Sequence, residues 1–170
     1  MFPLQPQICN LDLETHRVFE LDYARYANYE QAIFLALYIK LETTNPDHRI
    51  VIMIPGAGRG LLVDVLIRVI QIKTSALERY KVCAQDKSLS SMQSLLFKKH
   101  SKGDRLAYKN IELEIVQADL RALNPIEEQD IKASELLGSF SDNELNHECI
   151  DGTLRFAAKS TISVHQAYHS

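Results

Sequence analysis

"RIVIMIPGAGRGLLVDVLIRVIQIK", Arg49 to Lys73, decides the fold class. Its opening run, Arg49–Ile54, is β-branched without polar alternation, as a strand buried on both faces requires. PGAGRG then turns the chain, and Leu61–Lys73 has the length and apolar content of a helix packed on such a strand. A strand, a glycine turn and a helix in that order are the first unit of a parallel α/β sheet.

The pattern continues on both sides. Tyr23–Leu41 has apolar positions at helical spacing (Tyr26, Tyr29 or Glu30, Ile33, Leu37, Leu41) and no Pro or Gly, so it predicts a helix, with Asp22 as its N-cap. TTNPDH breaks it as a loop. YKVCAQD predicts a second strand, SLSSMQSLLFKKH a second sheet helix with Ser88 near its cap, and IELEIVQAD a third strand. DIKASELL predicts a fourth strand, NHECIDGTLRFAA a short helix and TISVH a fifth strand. The fold class expected is α/β, a Rossmann-like and mainly parallel sheet with helices on both faces. Ligands of such a sheet sit at the carboxyl ends of its strands. The expected division is a helical segment over residues 1–42 and the sheet domain over 43–170. The basic run Lys98–Arg105 is expected to be a solvated helix end and loop.

The 170 residues carry 19 Lys plus Arg against 22 Asp plus Glu, a formal charge of −3. That balance disfavours direct work on nucleic acid, which shows a basic excess. No apolar run approaches the roughly 20 residues that span a bilayer, so no membrane partner is expected. Cys9, Cys83 and Cys149 are odd in number and far apart, which predicts reduced thiols and no metal site. A soluble protein of the cell interior is the expectation.

The glycine spacing discriminates between ligands. A triphosphate loop needs G-x-x-x-x-G-K-[ST], and no such run occurs. A dinucleotide fingerprint needs a third glycine where Leu61 stands, which argues against a nicotinamide oxidoreductase. What remains is G-x-G-x-G, which suits S-adenosylmethionine: Gly56 and Gly58 leave room for its amino-acid portion, and Gly60 eases entry to the helix. Asp86, ending the second strand, is placed to accept from ribose hydroxyls. Asp119 and Leu120, ending the third, can meet an adenine's amino group and face.

SELLGSFSDNEL, Ser134–Leu145, then sets Glu135 and Glu144 across a Gly-Ser-Phe-Ser-Asp-Asn turn. A guanidinium is planar and stays charged near neutral pH, so two carboxylates can hold its N–H groups and aim the remaining nitrogen at a methyl donor. Without such a neighbour, paired glutamates in a loop are ordinarily solvated.

These segments carry a resemblance. Leu4–Ile33, GAGRG, DLR and above all SELLGSFSDNEL with ECIDG resemble the catalytic core of the protein arginine N-methyltransferase 5 family, type II enzymes that form symmetric dimethylarginine. The resemblance covers almost the whole chain. It implies Glu135 and Glu144 as the catalytic pair, with Gly56, Gly58, Asp86, Asp119 and Leu120 lining the S-adenosylmethionine pocket. It implies that Arg25, Tyr26 and His16 contact the cofactor, that Phe19 shapes the pocket toward symmetric product, and that Leu4 runs beside the substrate. Three positions depart from the family: His16 replaces a tyrosine, Leu120 a methionine and Arg25 a lysine. The resemblance also implies a TIM barrel before this region and a β-barrel after it, a WD-repeat partner, and substrates among Arg-Gly-rich tails, spliceosomal Sm proteins and histones in cytoplasm and nucleus. A truncated core, binding cofactor but methylating weakly, is expected. A non-catalytic interaction or cofactor-binding fragment of such an enzyme is the alternative.

Overall fold

The computed structural model describes residues 23–73, 79–103, 111–120, 127–135 and 157–165. Helix α1 spans Tyr23–Thr43, β1 Ile50–Pro55, α2 Leu61–Lys73, β2 Tyr80–Asp86, α3 Leu89–Ser101, β3 Ile111–Gln117, β4 Gln129–Ser134 and β5 Ala157–His165. The five strands form one sheet in the order β3-β2-β1-β4-β5, and every neighbouring pair is parallel. From β1 the chain winds outward through β2 to β3, then returns to the other side of β1 for β4 and β5. The order therefore reverses between β1 and β4, and the carboxyl edge at such a reversal is where sheets of this kind bind ligands.

The central strand is what its sequence requires. Ile50, Ile52, Met53 and Ile54 are all buried, and Val82 and Ala84 of β2 and Ile131 and Ala133 of β4 flank them. Val63, Leu66 and Ile70, at helical spacing on α2, are fully buried in the same core. Full burial of such a side chain is worth roughly 1.5–3 kcal/mol, so this layer is the main source of stability. Helix α1 packs on α2, β4 and β5, while α3 packs on β2 and β3.

Three features depart from the sequence expectation. Ala157 and Ala158, expected to end a short helix, belong to β5, where Ala157 pairs with Gln129; sheet pairing outweighs the helix preference of alanine. The rest of that expected helix, and Asp22, lie outside the described residues. Strand β4 ends at Ser134 and does not take in Glu135. In the basic run, Lys98 and Lys102 are not simply solvated: both donate to the Asp64 carboxylate of α2. Ser88 does stand at the cap of α3, but its hydroxyl meets Ser90 at 2.8 Å and makes no bond to the helix backbone.

At the amino edge of the sheet a polar clasp joins α1 to the strands. Lys40 occupies a buried position of α1 and lies 3.6 Å from Asp130 Oδ1 and 3.2 Å from Ser160 Oγ. The other oxygen of Asp130 accepts the Val51 N–H at 2.9 Å and meets His48 Nε2 at 2.9 Å. A buried charge is tolerated here because it is paired and hydrogen-bonded.

Gly60 locks the glycine turn onto α3. Its φ is 85°, and a Cβ built there would sit 2.7 Å from Leu95 Cδ2, a side chain with no exposed surface. Gly60→Ala is expected to cost about 1–3 kcal/mol, from backbone strain and overpacking together. A lowered urea midpoint with an unchanged slope is the measurement that checks it.

Candidate active site at the carboxyl edge

The glycine turn is held in shape by the strand beside it. Gly56, Gly58 and Gly60 adopt φ of 65°, 52° and 85°, a region that side chains disfavour. Ala57 N–H donates to Gln85 O at 2.9 Å, and Gly60 N–H donates to Ala57 O at 2.8 Å. Gly60 O then accepts from Asp64 N–H at 3.1 Å, the first helical bond of α2.

Asp86 is the anchor of this turn. Its Oδ2 accepts the Gly58 N–H and its Oδ1 the Ser88 N–H, each at 2.8 Å. A carboxylate offers about four acceptor positions, so two remain for the vicinal hydroxyls of a ribose. Gln85, 1% exposed, extends the lacing to β3 by donating from Nε2 to Ala118 O, and Ala118 N–H donates to Asp86 O at 3.1 Å. Asp119 follows, half-buried, and Leu120 is buried. Along the carboxyl edge, in spatial order, therefore lie Asp119 after β3, Asp86 at the end of β2, the glycine turn after β1, and Glu135 after β4.

Glu135 follows the last residue of β4, on the far side of the reversal from the glycines. The first turns of α1 hold it. Arg25 donates to Oε1, and the Tyr26 hydroxyl donates to Oε2 at 2.7 Å. Burial, and after it the charge of Glu135, pushes the Tyr26 phenol far above its ordinary pKa, so it stays a proton donor throughout the physiological range. Tyr29, three residues on and on the same helix face, donates from its hydroxyl to Ser134 O at 2.9 Å. Arg25 and Tyr26, which the family pattern assigns to the cofactor, are thus found on the carboxylate.

Tyr29 is a site-positioning residue that helical periodicity marks only as core. Its signal in the sequence is the pair of tyrosines at i and i+3, whose ring centroids lie 6.2 Å apart. Tyr29→Phe keeps the ring and removes the bond, leaving the Ser134 carbonyl short of a partner. The expected cost is about 1–2 kcal/mol, read as a lowered denaturation midpoint. Glu144, Leu4, His16 and Phe19 lie outside the described residues.

Comparison with known proteins assigns the lineage. The family model for PRMT5 arginine-N-methyltransferase matches residues 1–164. The chain belongs to that family. Among PRMT5 proteins, the protein arginine N-methyltransferase 5 of Xenopus laevis is 35% identical over 169 residues, covering 99% of this chain and 25% of the relative. The chain thus spans about a quarter of the length of such a relative. Solved structures agree on the fold. Arabidopsis thaliana protein arginine methyltransferase 10, described in a uniquely open conformation, superposes with a TM-score of 0.64 at 15% identity, over 89% of this chain and 38% of that one. The Trypanosoma brucei PRMT1 enzyme-prozyme complex with AdoHcy gives a TM-score of 0.61 at 17% identity, over 88% and 41%. The PRMT5-family chain therefore has the Rossmann-like fold of the S-adenosylmethionine methyltransferases, as its strand–glycine–helix opening predicts.

Proposed function

We propose that this chain is the cofactor-binding and catalytic portion of a type II protein arginine N-methyltransferase, which transfers methyl groups to arginines in protein tails and forms symmetric dimethylarginine. The observation that carries the reading is the carboxyl edge itself. A glycine turn anchored by Asp86 stands on one side of the strand reversal, and the carboxylate of Glu135 on the other. Residues suited to S-adenosylmethionine are all at this edge: positive-φ glycines, two unused acceptor positions on Asp86, and Asp119 with Leu120 at the end of β3.

When bound, S-adenosylmethionine supplies a methyl group on a positively charged sulfur that departs as a neutral thioether. Asp86 fixes the ribose hydroxyls, while Gly56 and Gly58 keep side chains clear of the amino-acid portion. Glu135, with Glu144 further along the sequence as its partner, holds the substrate guanidinium in charge-assisted pairs and orients one nitrogen. The carboxylates balance the guanidinium charge as the new N–C bond replaces the S–C bond, and one carboxylate of the pair accepts the surplus proton from the alkylated nitrogen. Family membership supports Arg-Gly-rich tails, including those of spliceosomal Sm proteins and histones, as substrates. It also supports a WD-repeat partner bound outside these residues, and residence in cytoplasm and nucleus. Residues 1–42 serve as the cover of the cofactor.

The test is mass spectrometry of an Arg-Gly peptide incubated with S-adenosylmethionine and this sequence set within a chain of its relatives' full length. Monomethylarginine followed by symmetric dimethylarginine is the expected product series. A cofactor-bound protein that leaves the peptide unmodified would instead make this a binding module.

A further inference from the structure

Glu135 is engaged at both oxygens by the chain itself. Arg25 donates to Oε1 and Tyr26 to Oε2. A substrate guanidinium, bound bidentately, needs the same two oxygens. Each oxygen keeps a further acceptor position, but a guanidinium added beside Arg25 sets two cations against one carboxylate, so Arg25 competes with the substrate for the Glu135 charge until it withdraws. Tyr26 is neutral and imposes no such conflict.

Withdrawal of a guanidinium from a carboxylate needs a competing anion nearby. The reading above supplies one, because the amino-acid portion of S-adenosylmethionine carries a carboxylate and belongs at the glycine turn. That turn ends β1, and Glu135 follows β4, the strand hydrogen-bonded directly to β1. Arg25 lies in the first turn of α1, and its side chain is 26% exposed. A long side chain in that position can exchange partners without unpacking the core.

We infer that Arg25 is an exchangeable counter-ion, holding Glu135 neutralised until the cofactor's carboxylate draws it away and frees Glu135 for the substrate arginine. The inference rests on the cofactor reading proposed above and adds an order to it, cofactor before arginine. Arg25 is here a positioning residue: it acts on the substrate through Glu135.

Linkage makes the coupling measurable without substrate. If the cofactor must break the Arg25–Glu135 pair, then weakening that pair must tighten the cofactor. The probes are S-adenosylhomocysteine, which keeps the carboxylate, and 5′-methylthioadenosine, which lacks the amino-acid portion. Each is titrated by calorimetry into the wild-type chain, Glu135→Gln, Arg25→Ala and the double variant. Glu135→Gln is expected to tighten S-adenosylhomocysteine by about fivefold or more, a typical coupling between linked sites. Binding of methylthioadenosine should not change, and the gain should vanish in the Arg25→Ala background. Glu135→Asp, which draws the carboxylate back by one methylene, should show the same sign with a smaller size, and it decides the matter if the glutamine variant does not fold. Unchanged or weaker S-adenosylhomocysteine binding in both Glu135 variants overturns the inference, as does equal tightening of both probes. A wild-type chain that binds neither probe overturns the cofactor reading itself, a result distinct from bound cofactor without coupling.

Discussion

Asp86→Ala is expected to lower affinity for S-adenosylhomocysteine by about a hundredfold or more, from the loss of several hydrogen bonds to a charged group at roughly 1.5–3 kcal/mol each. The residue faces two ways. Toward the ligand it offers the acceptor positions that a ribose needs. Toward the protein it accepts from Gly58 N–H and Ser88 N–H, each at 2.8 Å, so this carboxylate ties the glycine turn to the start of α3. Alanine removes both functions together. Asparagine separates them in part: its oxygen can keep one backbone bond, but its amide NH₂ must then face the other backbone N–H, donor against donor. Asp86→Asn is therefore expected to fall between wild type and alanine, with a loss of about tenfold. Calorimetric titration at a temperature well below each variant's melting midpoint checks both values. Equal binding by wild type and Asp86→Ala would remove Asp86 from the pocket and with it the placement of cofactor at this edge.

The frame of the molecule was legible because burial and periodicity leave a record in one segment at a time. The β-branched run at Ile50–Ile54 reads as a doubly buried strand whatever surrounds it, and the glycines reveal a backbone with positive φ before any partner is known. What escaped is long-range pairing. Lys40 lies on the buried face of α1, where spacing alone expects an apolar residue; Asp130 and Ser160, far along the chain, make a charge acceptable there. The Lys98 and Lys102 clasp on Asp64 is hidden for the same reason, since a basic run near a helix end normally meets water. Ala157 and Ala158 carry helix preference yet lie in β5, because a residue's own propensity is worth tenths of a kcal/mol and sheet pairing is worth more.

The site divides along the same line. Its elements could be placed at one edge from the order of strands and helices. The state of Glu135 could not, because the partners Arg25 and Tyr26 stand 110 and 109 residues away along the chain. The resemblance implies a role for each of the three residues, but it does not say that in this chain the cation and the phenol rest on the carboxylate. That contact turns three separately assigned residues into one unit.

Glu135→Gln, made in this sequence set within a chain of its relatives' full length, is expected to lower the rate of arginine methylation by about a hundredfold or more, the scale found when a preorganised charge at a reacting centre is removed. Glutamine preserves shape and volume while removing the charge that pairs with the guanidinium and balances it through the transfer. Its NH₂ would also meet the N–H groups of the substrate, donor against donor. The decisive feature is the split between parameters. A general loosening of the site would weaken cofactor and substrate together. Loss of Glu135 alone should depress turnover while cofactor affinity holds or rises, because Arg25 no longer has a carboxylate to leave. Stability should change little, by about 1 kcal/mol or less, since the Arg25–Glu135 pair is partly solvated. Steady-state rates on an Arg-Gly peptide, read beside a cofactor titration of the same preparation, separate these outcomes. Methylation at the wild-type rate by a folded Glu135→Gln chain would take the guanidinium-binding role away from this carboxylate.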